Sequence, residues 1–185
     1  MRPKNIIDLK TAVSHIRQAC ETEGLGASSP FFFIVGAGIS RPVVPLASQI
    51  VLHCKETAQR YERVVQPEPT SPIELYSTWF QAAYPHPKNR QEYIRRMIEG
   101  KSITRANLRL AHLLSEKKVS NLVVTPNFDD FVSRALTLFG IPHVTCDHPH
   151  TVERIDPEQR DLQIVHVHGT YWFYDCCNSS YEVSH

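Results

Sequence analysis

The stretch FFFIVGAGIS, Phe31 to Ser40, is the starting point for the fold. Five apolar residues in succession, Phe31 to Val35, have the length of a strand. Their lack of alternation predicts burial on both faces, as in a parallel sheet. The run ends in Gly36-Ala37-Gly38, followed by Ile39, Ser40 and Arg41. Glycines at this point either permit a turn closed to other residues or leave backbone N–H groups bare for close approach. A strand, a glycine turn and a helix in that order can cradle phosphate, because the helix start adds partial positive charge. The dinucleotide fingerprint G-x-G-x-x-G is incomplete, since Arg41 stands where its third glycine would be. Glu56, at the place of the acidic residue expected about 20 positions on, falls inside a predicted helix. A hydride-transfer domain of that type is therefore not expected, and a turn that serves only the fold stays open.

Working outward, Pro45 suits the first turn of a helix carrying Leu46, Ile50, His53, Cys54 and Thr57. On the other side, Leu9, Val13 and Ile16 mark an amphipathic helix over Asp8 to Ala19, which Gly24 and Gly26 would end. The proline-rich segment Gln66 to Pro72 reads as a loop. Helices are predicted over Ile73 to Ala83 and Gln91 to Ile98, split by Tyr84-Pro85-His86-Pro87. Thr104 can cap a further helix through Leu114. NLVVT, Asn121 to Thr125, is a second strong strand; a helix through Phe139 follows it and stops at Gly140. Ile141 to Cys146 reads as a short strand, Asp147 to Asp161 as a polar loop, and Leu162 to Val167 as a third buried strand. The pattern predicts an α/β fold with a parallel sheet and flanking helices, and a helical layer inserted at about residues 46–115.

The bulk chemistry narrows the function classes. Lys plus Arg number 20 and Asp plus Glu 19, a formal charge of +1, which gives no footprint for nucleic acid or an anionic membrane. A hydrophobic fraction of 42% in 185 residues suffices for one packed domain. No signal peptide is expected from MRPKNIIDLKTAV, and no apolar run approaches membrane-spanning length. Five irregularly spaced cysteines suit reduced thiols and a cytoplasmic location.

Three predicted strands end in polar groups: Gly36-Ala37-Gly38-Ile39-Ser40, Thr125-Pro126-Asn127-Phe128-Asp129 and His168-Gly169-Thr170. If the strands are parallel, these segments meet at one rim, where ligands of open α/β sheets bind. Taken singly, each has a plainer reading. Asn127 and Asp129 could cap the following helix, Asp130 could be a surface or capping residue, and His168 could be a buried, hydrogen-bonded histidine.

GAGIS, TPNFDDF and HVHGT, in that order, resemble the motifs of the sirtuin family: G-A-G-x-S, T-x-N-x-D and a histidine-glycine pair on a Rossmann-like domain. The tail YWFYDCCN, Tyr171 to Asn178, further resembles the sirtuin-like domains of bacterial antiphage defence proteins, which hydrolyse NAD+ to nicotinamide and ADP-ribose. The resemblance implies that Gly36, Ala37, Gly38, Ile39 and Ser40 line the NAD phosphates and ribose, with Thr125 near them. It implies that Asn127 holds the nicotinamide ribose or the attacking water, that Asp129 orients its loop or the carboxamide, and that His168 is the general base. It also implies a Rossmann-like sheet continuing past residue 185, in the N-terminal part of a larger, homo-oligomeric protein whose remainder senses a phage-derived trigger.

Two alternatives accompany that reading: an NAD-dependent protein deacylase, and a non-catalytic module that binds NAD or ADP-ribose or mediates assembly. Deacylating sirtuins carry a zinc ribbon of two C-x₂-C pairs after the histidine-glycine motif, and this chain has no such pair. His148, His150, His166, His168, Cys176 and Cys177 raise the question of zinc, but adjacent cysteines rarely chelate one ion, and no metal is expected. On a strand His166 and His168 would face the same side, with His166 serving packing or a hydrogen bond.

Overall fold

A computed structural model describes residues 6–23, 29–116, 119–156 and 161–173. The elements are α1 (Leu9–Glu23), β1 (Phe31–Ile34), α2 (Ala47–Arg60), α3 (Pro72–Ala83), α4 (Pro87–Ile98), α5 (Arg105–Ser115), β2 (Ser120–Thr125), α6 (Phe131–Leu138), β3 (His143–Cys146) and β4 (Leu162–His166). The fold is α/β, with a four-stranded, all-parallel sheet in the order β1-β2-β4-β3 flanked by helices, as in Rossmann-like proteins. Among the described residues no helix is long and apolar enough to cross a membrane.

The register places Phe33, Val123 and Ile164 in one row across the sheet. That row packs beneath Leu110, Ala111 and Leu114 of α5 and Val132, Ala135 and Leu136 of α6. β4 lies inside the sheet and all five of its residues are buried. β1 departs from expectation: its run is apolar throughout, yet only alternate residues are covered. Phe32 and Ile34 remain 60% and 74% exposed. The strand occupies the sheet edge, and the α5–α6 layer covers the face that carries Phe33.

Helices α2, α3 and α4 build a second core around Phe80, Ile94 and Ile98, joined by Phe131 and Tyr171. The inserted segment therefore divides: α5 belongs to the sheet layer, and α2 to α4 stand as a block beside the strand ends. Cys54 is completely buried in that block, and burial pushes its thiol up to about 12. Local chemistry fixes the helix starts: the cap at Thr104 is the expected one, whereas α3 begins at Pro72, inside the expected loop, and α4 at Pro87, ahead of the expected Gln91. Ser71 Oγ accepts the Glu74 N–H ahead of α3, with Pro72 at its first position, and Thr104 Oγ1 accepts the Asn107 N–H at 3.2 Å ahead of α5. Gly140, at φ +65°, ends α6 in a left-handed conformation that favours glycine. The region expected to be a polar loop carries a short 3₁₀ turn, Pro149–Arg154. Gly24, Gly26, Cys176 and Cys177 lie outside the described residues.

Candidate active site at the sheet rim

Because β1, β2 and β4 are parallel neighbours, the three polar segments that follow them emerge at the same edge. Backbone bonds stitch the rim: Val35 N–H donates to Val124 O at 2.9 Å, and Val167 N–H to Thr125 O at 3.0 Å. Side chains then tie the loops to one another. Thr125 Oγ1 donates to Val35 O at 2.7 Å and accepts the Asn127 N–H at 3.1 Å. Ser40 Oγ donates to Asp129 Oδ2 at 2.7 Å, a buried bond between residues 89 positions apart. Asp129 Oδ1 accepts the Phe131 N–H at 3.3 Å. Thr104, besides capping α5, donates its hydroxyl to Ile39 O at 2.6 Å and so anchors the glycine segment from the helical side.

The glycine segment itself is a short 3₁₀ turn, Ala37–Ser40, and α2 begins only at Ala47. The helix expected from about Pro45 thus starts two residues later, and a tight turn and a proline-containing link separate it from the glycines. Gly36 has φ −95°, and neither it nor Gly38 is among the positive-φ residues. A Cβ built on either glycine meets no atom within 4 Å. The fold therefore requires glycine at neither position, and the space above both backbones is open. Arg41 is exposed at the end of the turn, and Glu56 is exposed on α2.

Between the rim and the helical block lies a cavity of about 210 Å³. Ala37, Asn127, Asp129 and His168 contribute to one side. Ile50, Tyr76, Ile94 and Ile98, from α2, α3 and α4, contribute to the other, and Phe128 and Pro126 also line it. Of the residues singled out in the sequence, Ala37, Asn127, Asp129 and His168 come together in this lining. Ser40 and Thr125 are buried and occupied in tying loops, and Gly36 and Gly38 lie exposed at the turn. Ile39 is half-buried and packs against the sheet core. The apolar wall from the helical block went unrecognised in the sequence, where helical periodicity marks which residues are buried but not what they face.

The two histidines of HVHG separate. β4 ends at His166, so the alternation expected for a strand stops before His168. His166 is buried, and its Nδ1 lies 2.9 Å from Asn127 O. A carbonyl only accepts, so Nδ1 carries the proton and donates, fixing the tautomer. His168 follows in a turn that Gly169 closes at φ +73°, with Gly169 N–H donating to His166 O at 3.1 Å. That turn aims the half-buried His168 ring at the cavity, 6.4 Å from the Phe128 ring between centroids. Among the described residues His168 makes no side-chain hydrogen bond, so it is His166 that is the satisfied core histidine. Asn127 is 8% exposed; its side-chain amide is likewise uncommitted among the described residues, while its backbone is held at both ends.

Asp129 is the buried acid of the site. Burial pushes its carboxyl above the ordinary value, while the Ser40 hydroxyl and the Phe131 N–H pull the other way. With both oxygens engaged, Asp129 braces the two loops. Its neighbour Asp130 lies 3.7 Å from Arg134 and, at 3.5 Å, accepts the Tyr171 hydroxyl, while Tyr171 N–H donates to Phe128 O at 2.9 Å. Among the described residues no group of three or more His, Cys, Asp or Glu side chains is placed to hold a metal ion.

The site thus joins an uncommitted imidazole and an uncommitted amide across an apolar cleft, beside a turn with bare backbone. That arrangement can orient a water or hydroxyl and take its proton. Comparison with known proteins adds nothing to this geometry: no protein-family model matches the chain, and no curated protein does.

Proposed function

We propose that the chain is a sirtuin-like NAD+ glycohydrolase, which splits NAD+ and water into nicotinamide, ADP-ribose and a proton. One observation carries the reading: Asn127 and His168, neither with a side-chain hydrogen bond among the described residues, converge with Ala37 on a single cleft at the carboxyl ends of the strands. The open space above Gly36 and Gly38 supports it, because those glycines answer no need of the fold.

The volume of about 210 Å³ is below the roughly 300–1,000 Å³ of whole small-molecule sites, so the cleft takes the nicotinamide riboside end of the substrate. The pyrophosphate then runs out over the glycine turn. Loss of nicotinamide leaves an oxocarbenium-like ribose. The apolar wall of Ile50, Ile94 and Ile98 limits bulk water around it, and the Asn127 amide orients the attacking water. His168 accepts that water's proton as the new C–O bond forms, a contribution of about 10²–10⁴-fold for a positioned base. Asp129 and His166 act as positioning residues, through Ser40 and the Asn127 carbonyl. In this reading NAD+ depletion is the effector action of an antiphage protein.

The test is incubation of the full-length protein with NAD+ and chromatographic detection of nicotinamide and ADP-ribose. Turnover that disappears in Asn127→Ala and His168→Ala supports the proposal. Turnover that survives both, or product that forms only when acylated peptide is added, overturns it.

A further inference from the structure

The helical block carries a second cavity, open to solvent and of about 460 Å³, within the roughly 300–1,000 Å³ range of small-molecule sites. It lies on the far side of α4 from the cleft. Ile94 and Ile98 line the cleft, whereas Asn89, Tyr93 and Arg96, at helical spacing on the opposite face, line the second cavity.

Its walls combine rings and cations. Tyr84 and Tyr93 pack with centroids 4.7 Å apart, and Tyr93 stacks on His53 at 5.4 Å and 20°, so this aromatic wall is internally braced. The Arg63 guanidinium lies 5.1 Å from the Tyr61 ring and donates from Nη1 to the Ala82 and Ala83 carbonyls, both at 2.8 Å. It makes no ion pair among the described residues. Arg96 donates from Nε to Glu92 at 2.8 Å, and its two Nη groups make no hydrogen bond among the described residues. The His86 and Asn89 side chains, also in the lining, are equally unengaged there. The cavity lining therefore holds two guanidiniums and one carboxylate, the latter paired with Arg96, together with braced rings and unused donors.

We propose that this cavity is a second small-molecule site, for a phosphate-bearing aromatic ligand of the adenine-nucleotide class. The ring lies on the Tyr84–Tyr93 wall, and the phosphate takes the free edge of Arg96 with His86 and Asn89. Guanidinium groups suit that role because two parallel N–H donors match two phosphate oxygens. The inference stands on the second cavity alone and does not depend on the reading of the first cleft.

Calorimetric titration of the full chain with AMP, and separately with inorganic phosphate, tests it. AMP binds saturably and more tightly than phosphate. Arg96→Ala and His86→Ala, both at exposed positions where folding is not at stake, each weaken AMP by about tenfold, the loss of one charge-assisted contact. His168→Ala in the other cleft leaves AMP affinity unchanged. Absence of saturable AMP binding overturns the site. Equal affinity for phosphate and AMP overturns the ligand class. AMP binding lost in His168→Ala but kept in Arg96→Ala overturns the location.

Discussion

The cleft has two sides built on different principles. The rim side is polar and cross-tied: Ser40 to Asp129, Thr125 to Val35, Thr104 to Ile39 and His166 to Asn127 join segments far apart in sequence through single directed bonds. The helical side is apolar and held by packing of Ile50, Ile94 and Ile98 with Phe80 and Trp79. A directed bond is lost with one atom, whereas a packed wall tolerates exchange of side chains of similar volume. Sensitivity to mutation should therefore differ in kind between the two sides.

If the proposed function holds, the largest effect is expected at the rim. His168→Ala lowers NAD+ turnover by about 10²–10⁴-fold. Its melting temperature stays near that of the parent protein, because the ring makes no side-chain hydrogen bond among the described residues; a nicotinamide-release assay beside a thermal melt checks both. Next comes the packed wall. Ile94→Ala, at a buried position, costs about 2–5 kcal/mol of stability in urea titrations, whereas Ile94→Leu costs less than about 1.5 kcal/mol and keeps turnover. If Ile94→Leu abolished turnover with the fold intact, the distinction between the two sides would fail.

Ser40→Ala is expected to cost about 1–3 kcal/mol, since it leaves a buried carboxylate oxygen without its donor. The same carboxyl gives a pH signature. Asp129 has its pKa raised in the fold, so the folded state holds the proton more tightly than the unfolded chain. Stability from this group is complete below the unfolded value of about 3.9 and is lost as pH rises through the folded value. The difference in melting temperature between parent and Asp129→Asn should change across that window and level off above it. The smallest effect belongs to Gly36→Ala. With φ −95° and open space for a Cβ, it leaves stability unchanged or raised by about 0.4–1 kcal/mol, while KM for NAD+ rises.

Legibility in the sequence follows the same division. The apolar runs announced the parallel sheet, and Thr104 and Gly140 announced a helix start and a helix stop, because each of these is decided by a few neighbouring residues. Parallel strands alone were enough to bring three motifs to one edge. The Ser40–Asp129 bond was not legible, since nothing local pairs residues 89 positions apart. Nor was the exposure of Phe32 and Ile34, because an apolar run does not reveal which faces of a strand are covered. His166 and His168 were set on one side by strand alternation, and the turn at Gly169 separated them. The facing of α2 to α4, which sets the apolar wall and the second cavity, depends on tertiary packing that periodicity does not encode.

The sealed thiol of Cys54 gives the helical layer its own clock. A protonated, sequestered sulfur does not attack a disulfide reagent, so it reacts only during the moments when α2 to α4 part. Cys146, buried at the end of β3, keeps the corresponding time for the sheet. Two labelling rates read in one sample would thus say whether the halves of the molecule breathe together or separately.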